Sequence, residues 1–564
     1  MKCEGAKCSE CPLNIPKDKL TKESGGHFVP PEVNRNAKFV VIGDQPSMWD
    51  TVNGRPFTGT DANEMTSILR LAGAKRGEIH WTNVVLCSPP KSDMERFLIE
   101  IKKANKKLVK LNKQRAKEGL DPLPSIKTPH ECCAPRLQKE IASFTNIICA
   151  GTTALKAVVH RSASIMDLRG GPMEVEKGNK VLNVLPVMHP GYVDRNKRWY
   201  LPFASDLKRA VKWFKRGRLD WKPPEILWNP NPVALREFLF TDGVPFWTYD
   251  VETDGVECLT ANLRCIAIGT PDAVVLIAYL GIDGHSRFYS DEELEQITAV
   301  LKDFFEDERI VKAGHNAGYY DKIVMREQLG IDVKPCIDTM LLHRLSASEL
   351  PHTLGFCGSY YTEAPSWKTD RQGKKKAYGS ETDHELHEYC AWDTAVTAAI
   401  LPPIMKEITD RDQVKLSECD HKLQEICAEM HIVGMYVDQK ARAEWEKKLI
   451  REVYDRREKI RTILDNPKLN PGSPHQIREL IYENWRLDPP VEERFLLTKS
   501  GDPSTGDHIL RALLTIKSLT PMQRAAIQEM RYYRKCQKVL GTYVTKLRYE
   551  TEEAWGGWDA DDDW

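Results

Sequence analysis

Short runs of aliphatic residues constrain the fold of this chain more than any other feature. Four of them occur in the first 215 residues, separated by stretches long enough to form helices. Such runs are typical of buried parallel strands, because both faces of a parallel sheet are covered by helices. The alternation predicts an α/β fold. The runs are residues 39–43, 82–86, 147–151 and 181–185.

A second α/β unit and a helical region follow. Three further strands are predicted at residues 246–250, 265–268 and 274–277. Glu, Lys, Arg and Leu then dominate, which favours helices. We therefore predict an α/β fold class with a three-layer α/β/α domain, a linker, a second α/β domain, a helical region and an acidic tail. Their boundaries are 1–215, 216–240, 241–405, 406–550 and 551–564.

Charge is distributed unevenly, although Lys+Arg and Asp+Glu both total 81. Residues 1–223 contain 39 basic and 23 acidic side chains, and the remainder contains 42 and 58. This asymmetry indicates either a front half that binds a polyanion or a solvated surface. No stretch approaches the about 20 apolar residues of a membrane helix, and the N-terminus lacks a signal-peptide core. We expect a cytoplasmic protein that does not contact membranes.

One segment is strongly basic. Residues 102–117 contain eight Lys or Arg, and Ile101, Leu108 and Leu111 supply a partial apolar stripe. This pattern predicts a surface helix. It is either an arm that contacts phosphates or a solvated helix.

Three acidic motifs follow one another in the second block. Asp250 and Glu252 stand two apart on a predicted strand, so both face one side of it. Asp321 lies 71 residues after Asp250, and Asp393 lies 72 residues further. Tyr389 and Asp393 share one face of a predicted helix. Four carboxylates that meet beside a tyrosine suit phosphodiester hydrolysis with two divalent ions.

In order and spacing these motifs resemble the proofreading 3′–5′ exonuclease domain of family A DNA polymerases, over about residues 240–402. The middle motif of that family corresponds to residues 316–321, with Asn316, Tyr320 and Asp321. The resemblance implies an RNase H-like fold, two Mg²⁺ or Mn²⁺ ions held by the four carboxylates, and a water-orienting role for Tyr389. It also implies DNA as the partner, both as single-stranded 3′ ends and as primer–template.

Residues 418–548 resemble the polymerase thumb of the same family. The matching segments are 423–438, 470–476, 498–505, 533–535 and 542–544. The Asp-Tyr-Ser and His-Asp-Glu strings typical of the palm do not occur, so we expect no polymerase activity from this chain alone. Either a separate subunit supplies the palm and fingers, as in a split bacteriophage polymerase, or the chain is a free exonuclease with a relic thumb. We favour the split.

The last residues form a distinct tail. Residues 552–564 hold six acidic side chains, three Trp and no basic residue. Exposed aromatic and acidic residues together suit a docking peptide for other replisome proteins, and resemble the tails of phage replisome proteins and single-strand-binding proteins. A frayed, acidic solubility tail is the alternative.

The first block carries a set of cysteines and polar motifs in a fixed order. Four of its cysteines, two close to the N-terminus and two further along the block, suit either an iron–sulfur cluster or zinc. They are Cys8, Cys11, Cys87 and Cys133, and Cys3 or Cys132 are possible substitutes. The polar motifs lie at residues 43–47, 54–59, 82–90, 133–137 and 188–192.

These motifs resemble the family 4 and family 5 uracil-DNA glycosylases over about residues 1–215. The resemblance implies a [4Fe–4S] cluster, with zinc as the alternative, and a pocket for a flipped base. Phe57 would stack on the base, Asn83 would read its edge and His189 would stabilise the leaving uracil. Asp44, in the turn with Gly43 and Gln45, lies where the family has an acidic residue that positions water.

The chain departs from that family at three places. The usual Gly-Glu-Ala-Pro-Gly is Gly-Asp-Gln-Pro-Ser at residues 43–47, and the usual His-Pro-Ser is His-Pro-Gly at residues 189–191. The basic insertion of residues 91–128 also separates Cys87 from Cys133. Two interpretations stay open: the block is an active glycosylase, or it is a module that senses uracil or only binds DNA.

Overall fold

The computed structural model describes residues 3–21, 23–159, 164–367, 382–492, 496–498 and 502–547. It divides into two compact units, which meet in sequence between Ile432 and Val433. The predicted tail, residues 551–564, lies outside the described residues. The first unit contains two α/β domains, and the second is helical.

The first domain is built on a five-stranded sheet in the order β2-β1-β3-β5-β4. The strands are β1 (Phe39–Gly43), β2 (Ile79–Asn83), β3 (Asn146–Ala150), β4 (Met173–Lys177) and β5 (Lys180–Val187). All neighbours are parallel except β4, which pairs antiparallel with β5 at the edge. β1 is buried along its whole length, as its uninterrupted aliphatic run predicts.

Eight helices belong to the described part of this domain. They are α1 (Met48–Asn53), α2 (Thr60–Leu71), α3 (Met94–Lys117), α4 (Pro129–Ile141), α5 (Thr152–Val158), α6 (Ile165–Leu168), α7 (Pro190–Arg195) and α8 (Tyr200–Arg216). The basic segment lies in α3, where only Met94 and Ile101 are buried. The predicted surface helix is therefore confirmed.

The second domain is built on a six-stranded sheet in the order β11-β10-β7-β8-β9-β6. Its strands are β6 (Glu225–Trp228), β7 (Trp247–Thr253), β8 (Leu263–Gly269), β9 (Ala273–Ala278), β10 (Lys312–Gly314) and β11 (Cys336–Asp338). The pairs β7–β8 and β8–β9 are antiparallel, and the other pairs are parallel.

Seven helices of the described residues accompany this sheet. They are α9 (Pro232–Leu239), α10 (Asp291–Phe305), α11 (Tyr320–Leu329), α12 (Thr339–Ser346), α13 (Leu354–Tyr361), α14 (Asp383–Asp410) and α15 (Val414–Val433). Both domains mix strands and helices, which confirms the predicted α/β class.

The second unit has a hydrophobic core of its own, which includes Ile460, Ile477 and Ile509. Its α-helices are α16 (Gln439–Ile463), α17 (Pro474–Arg478), α18 (Asp507–Leu513) and α19 (Pro521–Val539). π-helical turns extend α17 through Glu479–Asn484 and α19 through Leu540–Val544. The prediction of a helical C-terminal region is confirmed.

Two sequence predictions need correction. The strand expected at 82–86 ends at Asn83, because the chain turns there and the Val84 and Val85 amides donate to Gly43 and Asp44. The linker expected at 216–240 is shorter, since β6 and α9 lie within it. β6 pairs with β9 at the edge of the second sheet and is largely exposed, so it has no aliphatic run to reveal it.

A buried ionic cluster joins the two domains of the first unit. The side chains of Arg169 and Asp206 are 1% and 0% exposed, and Arg169 Nε donates to Asp206 Oδ2 at 2.8 Å. Arg209, also buried, donates to the carbonyls of Gly170 at 2.6 Å and Tyr360 at 3.0 Å. Since Tyr360 belongs to α13, Asp206 of the first domain lies beside an arginine that binds the backbone of the second.

None of the helices in the described ranges is both long enough and apolar enough to cross a membrane.

We predict that Asp206→Ala lowers the free energy of unfolding by about 3–5 kcal/mol, because it leaves two buried guanidinium groups without their carboxylate. Urea denaturation followed by tryptophan fluorescence measures the effect in the first unfolding transition. Glu100→Ala is the control, since it removes the exposed pair with Arg96 and is expected to cost less than about 1 kcal/mol. Equal costs for the two variants would contradict a bridging role for Asp206.

Candidate functional site

Strand β7 and helix α14 place two of the three acidic motifs side by side. Thr248 Oγ1 donates to the Thr394 carbonyl at 2.9 Å, and Cys390 Sγ donates to the Asp250 carbonyl at 3.5 Å. The two strand residues are two positions apart, and their partners on the helix are four positions apart, which is about one helical turn. This register puts Asp393, next to Thr394, beside the strand that carries Asp250.

Asp250 and Glu252 are half-buried on the same face of β7, as their spacing predicts. Both carboxylates act electrostatically on Cys390 and help to raise the pKa of its thiol, after the larger effect of burial. Cys390 directly follows Tyr389 in α14. The first and third motifs therefore meet around Cys390.

The second motif joins them through the backbone of β7. The Val251 amide, between Asp250 and Glu252, acts on the carboxylate of Asp321 near the start of α11 and opposes the rise in the pKa of that carboxyl. Tyr320 points to the far end of the strand, where its hydroxyl donates to the Gly255 carbonyl at 2.6 Å. The carboxylates from β7, α11 and α14 thus gather along one strand.

A further carboxylate, which sequence reasoning missed, supports this site. Asp338 is fully buried and accepts hydrogen bonds from the amides of Asn316 at 2.9 Å and Gly318 at 3.3 Å. Gln424 of α15 donates to it at 2.6 Å. A Cβ at Gly318 would lie 2.0 Å from Gln424 Oε1, so a larger residue there would displace the Gln424 amide from Asp338. Asp338 therefore holds the loop that leads to Asp321.

The site is electrostatically strained without a cation. Burial, with a smaller contribution from the charge of Asp338, raises the pKa of Asp321 to about 8. Carboxylates confined together cannot all ionise at neutral pH without a compensating positive charge. The donor set contains only oxygen, which suits Mg²⁺ or Mn²⁺. These residues therefore fit a site for hard divalent cations.

A cleft of about 590 Å³ opens beside Tyr389. Trp392 stacks between two other tryptophans, with ring centroids 6.0 Å from Trp221 and 6.4 Å from Trp367. Trp367 Nε1 also donates to Asp393 Oδ1 at 2.5 Å. Aromatic surfaces therefore lie next to the acidic cluster. Trp367 is a second residue that the sequence did not predict, because it belongs to no motif.

Six cysteines line a separate cavity in the first domain, together with apolar residues such as Phe28 and Leu86. They are the four predicted ligands, Cys8, Cys11, Cys87 and Cys133, and the two possible substitutes, Cys3 and Cys132. Burial raises the pKa of the Cys11 thiol to about 12, and the neighbouring thiols add to the shift. Thiols brought together in this way fit a thiophilic metal centre.

The predicted base pocket is assembled around the end of β1. A Cβ at Gly43 would lie 2.4 Å from Asn83 Oδ1 and 2.7 Å from Phe57 Cζ, so both side chains reach over Gly43 and a larger residue there would displace them. The Phe57 ring also packs on Trp81, with ring centroids 5.1 Å apart. Gln45, two residues on, is half-buried.

His189 and Asp44 form the other side of this pocket. Both lie against Gly151, whose Cβ would be 3.2 Å from His189 Cβ and 3.1 Å from Asp44 Oδ1. His189 Nδ1 accepts from the Gly191 amide at 3.2 Å, so a proton on the neutral ring is carried by Nε2. Burial raises the pKa of Asp44, and the charge of His189 opposes that shift.

The His-Pro-Gly departure has a structural counterpart. A Cβ at Gly191 would lie 3.0 Å from Asp61 Oδ2, so a carboxylate approaches the place that a serine side chain would occupy. Asp61 belongs to α2 and carries no motif of its own. Its proximity to His189 was not predictable from the sequence.

Two family models match this chain in succession. Residues 30–215 match the uracil DNA glycosylase superfamily. Residues 243–409 match the 3′-5′ exonuclease family found in DNA polymerase A. The two matches coincide with the first and second domains of the structure.

Relatives of the first domain are type-4 uracil-DNA glycosylases. The protein from Thermotoga maritima is 27% identical over 210 residues, which cover 36% of this chain and 84% of the relative. The protein from Archaeoglobus fulgidus is 23% identical over 208 residues, which cover 36% of this chain and 85% of that relative.

Two solved structures show similarity to parts of this chain. The POL domain of Pol1 from M. smegmatis is 16% identical with a TM-score of 0.42, and the match covers 56% of this chain and 49% of that one. Brucella melitensis NrnC is 18% identical with a TM-score of 0.30, and the match covers 37% of this chain and 94% of that one. According to the two family matches, the chain combines a region of the uracil DNA glycosylase superfamily with a 3′–5′ exonuclease domain.

Proposed function

We propose that this protein is the proofreading 3′–5′ exonuclease component of a family A replicative DNA polymerase of bacteriophage type, whose palm and fingers belong to a separate chain. The observation that supports this proposal best is the convergence of carboxylates from β7, α11 and α14. It is the oxygen-only donor set that phosphodiester hydrolysis with hard cations requires.

In this proposal the chain's own residues have separate roles. Asp250, Glu252, Asp321 and Asp393 hold the cations, and the Asp338 network keeps the loop before Asp321 in place. Tyr389 orients the attacking water. Two Mg²⁺ or Mn²⁺ ions, when bound, supply activation of that water and stabilisation of the leaving oxygen.

The tryptophans beside the acidic cluster suit a single-stranded substrate. Nucleobases stack on aromatic side chains whatever their sequence, and each such contact is worth about 1–3 kcal/mol. Trp221, Trp367 and Trp392 line the cleft next to Tyr389. The exposed basic face of α3 adds a surface that suits phosphates.

We predict that Asp250→Ala and Asp393→Asn each lower nuclease activity by more than about 100-fold, because loss of even an outer-shell partner costs metal sites about 10–100-fold. The assay follows shortening of a 3′ single-stranded oligonucleotide with Mg²⁺ or Mn²⁺. Primer–template with nucleotides is expected to show no extension.

Asp242→Asn is the matched control, since this exposed carboxylate precedes β7 in the same domain. It is expected to keep wild-type activity. Undiminished degradation by Asp250→Ala would refute the site, and primer extension by the purified chain would refute the split polymerase.

A second candidate function is uracil excision by the first domain. Two observations favour it. Asn83 and Phe57 come together over Gly43, and His189 Nε2 is the ring nitrogen that carries a proton. Asn83 would read the base edge, Phe57 would stack on it, and His189 would donate to the oxygen that gains charge as uracil leaves. Asp44 would position the water.

We predict that the protein leaves alkali-labile sites at uracil in single-stranded DNA, with the divalent ions removed by chelation and in the Asp250→Ala background. His189→Ala is expected to lower the rate about 10²–10³-fold, as for loss of one charge-stabilising donor. His27→Ala, outside the pocket, is the control. If the unchanged pocket produces no such sites, the domain is a DNA-binding or uracil-sensing module instead.

For the cysteine-lined cavity we propose one [4Fe–4S] cluster held by Cys8, Cys11, Cys87 and Cys133. The type-4 relatives and the convergence of the thiols in an apolar cavity support it. The cluster would tie the N-terminal segment, the loop after β2 and α4 together, because these segments carry the ligands.

We predict a brown protein with an iron-to-chain ratio of about four when it is purified without oxygen. Cys8→Ser and Cys133→Ser are expected to lose most of the iron, whereas Cys419→Ser, an exposed cysteine of α15, is expected to keep it. A colourless protein with one zinc per chain would contradict the iron–sulfur assignment.

A further inference from the structure

A second group of metal-binding side chains lies away from the acidic cluster and the cysteine cavity. Glu257 and Cys258 belong to the loop that follows β7, and His431 lies near the end of α15. Each offers one ligand atom, and these three atoms lie within 4.8 Å of one another. Carboxylate, thiolate and imidazole are the three protein ligand types that Zn²⁺ accepts.

The three distances are close to those of one face of a tetrahedral zinc site. His431 Nε2 lies 3.4 Å from Glu257 Oε1 and 4.0 Å from Cys258 Sγ, and Sγ lies 3.8 Å from Oε1. Zinc bonds of about 2.0–2.3 Å at tetrahedral angles put ligand atoms roughly 3.3–3.6 Å apart. Shifts of a few tenths of an ångström would complete the geometry.

The histidine is already oriented for this role. Its other ring nitrogen, Nδ1, is hydrogen-bonded to the hydroxyl of Tyr319, and the two rings pack with centroids 5.5 Å apart. When Nδ1 donates its proton to this hydroxyl oxygen, Nε2 is deprotonated and is left for the metal.

Burial and charge distinguish the cysteine from a surface thiol. Cys258 is 2% exposed, whereas the Glu257 side chain is about half exposed and gives a cation access from solvent. Burial, followed by the charge of Glu257, raises the pKa of the Cys258 thiol, so metal binding would displace its proton.

From this geometry we propose a zinc site formed by Glu257, Cys258 and His431, with water in the fourth position. It would fasten the C-terminal turn of α15 to the loop after the strand that carries Asp250 and Glu252. Elsewhere α15 is held to this domain largely by polar contacts, such as Gln424 to Asp338 and Arg326 to Glu429. The site adds the last of these attachments before the chain enters the second unit.

Cobalt substitution tests the proposal, because Co²⁺ bound to a thiolate gives a charge-transfer absorption that oxygen ligands do not give. Co²⁺ is added to protein whose iron–sulfur site is already filled, so that the cavity cysteines do not respond. One thiolate–cobalt band per chain is expected, displaced by Zn²⁺. Cys258→Ser should abolish the band, and an unchanged band would overturn the proposal.

Two further variants separate ligation from folding. Tyr319→Phe keeps the ring and removes only the hydroxyl, so zinc affinity should fall about tenfold or more. Cys419→Ser is the matched control on the same helix, about 18 Å from His431 along the axis, and should leave the band unchanged.

Hydrogen exchange gives a reading that does not depend on cobalt. Zn²⁺ should slow amide exchange in residues 254–262 and 427–432 of the wild-type protein, and should have no effect on the Cys258→Ser variant. Equal protection in both proteins would also overturn the proposal. Neither measurement involves nuclease activity, so the outcome is independent of the proposed exonuclease function.

Discussion

The register of α14 along β7 is the contact on which the acidic site depends. Thr248 and Thr394 join the two elements at one position, and Asp250 and Cys390 join them one helical turn away. A helix that slid by one residue would rotate Asp393 by about 100° away from the strand. Because Thr248 and Thr394 are fully buried, this pair lies in the domain core as well as in the site.

The same helix takes part in the apolar cluster that spans the two domains of the first unit. Val396, Ile400 and Ile404 belong to one hydrophobic cluster with Trp199 and Phe203 of the first domain. The buried pair of Arg169 with Asp206 lies at this junction. The helix that carries Asp393 therefore belongs to the same apolar cluster as the neighbouring domain, and α13 makes the direct ring contact of Phe356 with Trp199. Such an arrangement favours a fixed orientation of the two DNA-related domains, because ionic and apolar contacts both oppose their separation.

Local periodicity explains what the sequence could predict. Asp250 and Glu252 share a face because strands alternate, and Tyr389 shares a face with Asp393 because helices repeat every 3.6 residues. Contacts between distant segments carry no such signal. Asp338 ends a three-residue strand, Trp367 stands in a loop, and Glu257 meets His431 across 174 residues of sequence. Edge strand β6 falls within the predicted linker for a related reason, since its largely exposed residues leave no burial pattern in the sequence.

Donor chemistry separates the three metal sites proposed for this chain. The acidic cluster offers only oxygen and selects hard cations, whereas the cysteine cavity offers only sulfur and selects iron–sulfur chemistry or other soft metals. The group at His431 offers one oxygen, one sulfur and one nitrogen, which suits a borderline cation. Mg²⁺ would compete poorly there, because it prefers six oxygen ligands and sheds its water reluctantly. One polypeptide can thus hold different metals in different places, because the three sites differ from one another in the softness of their ligands more than in the number of those ligands.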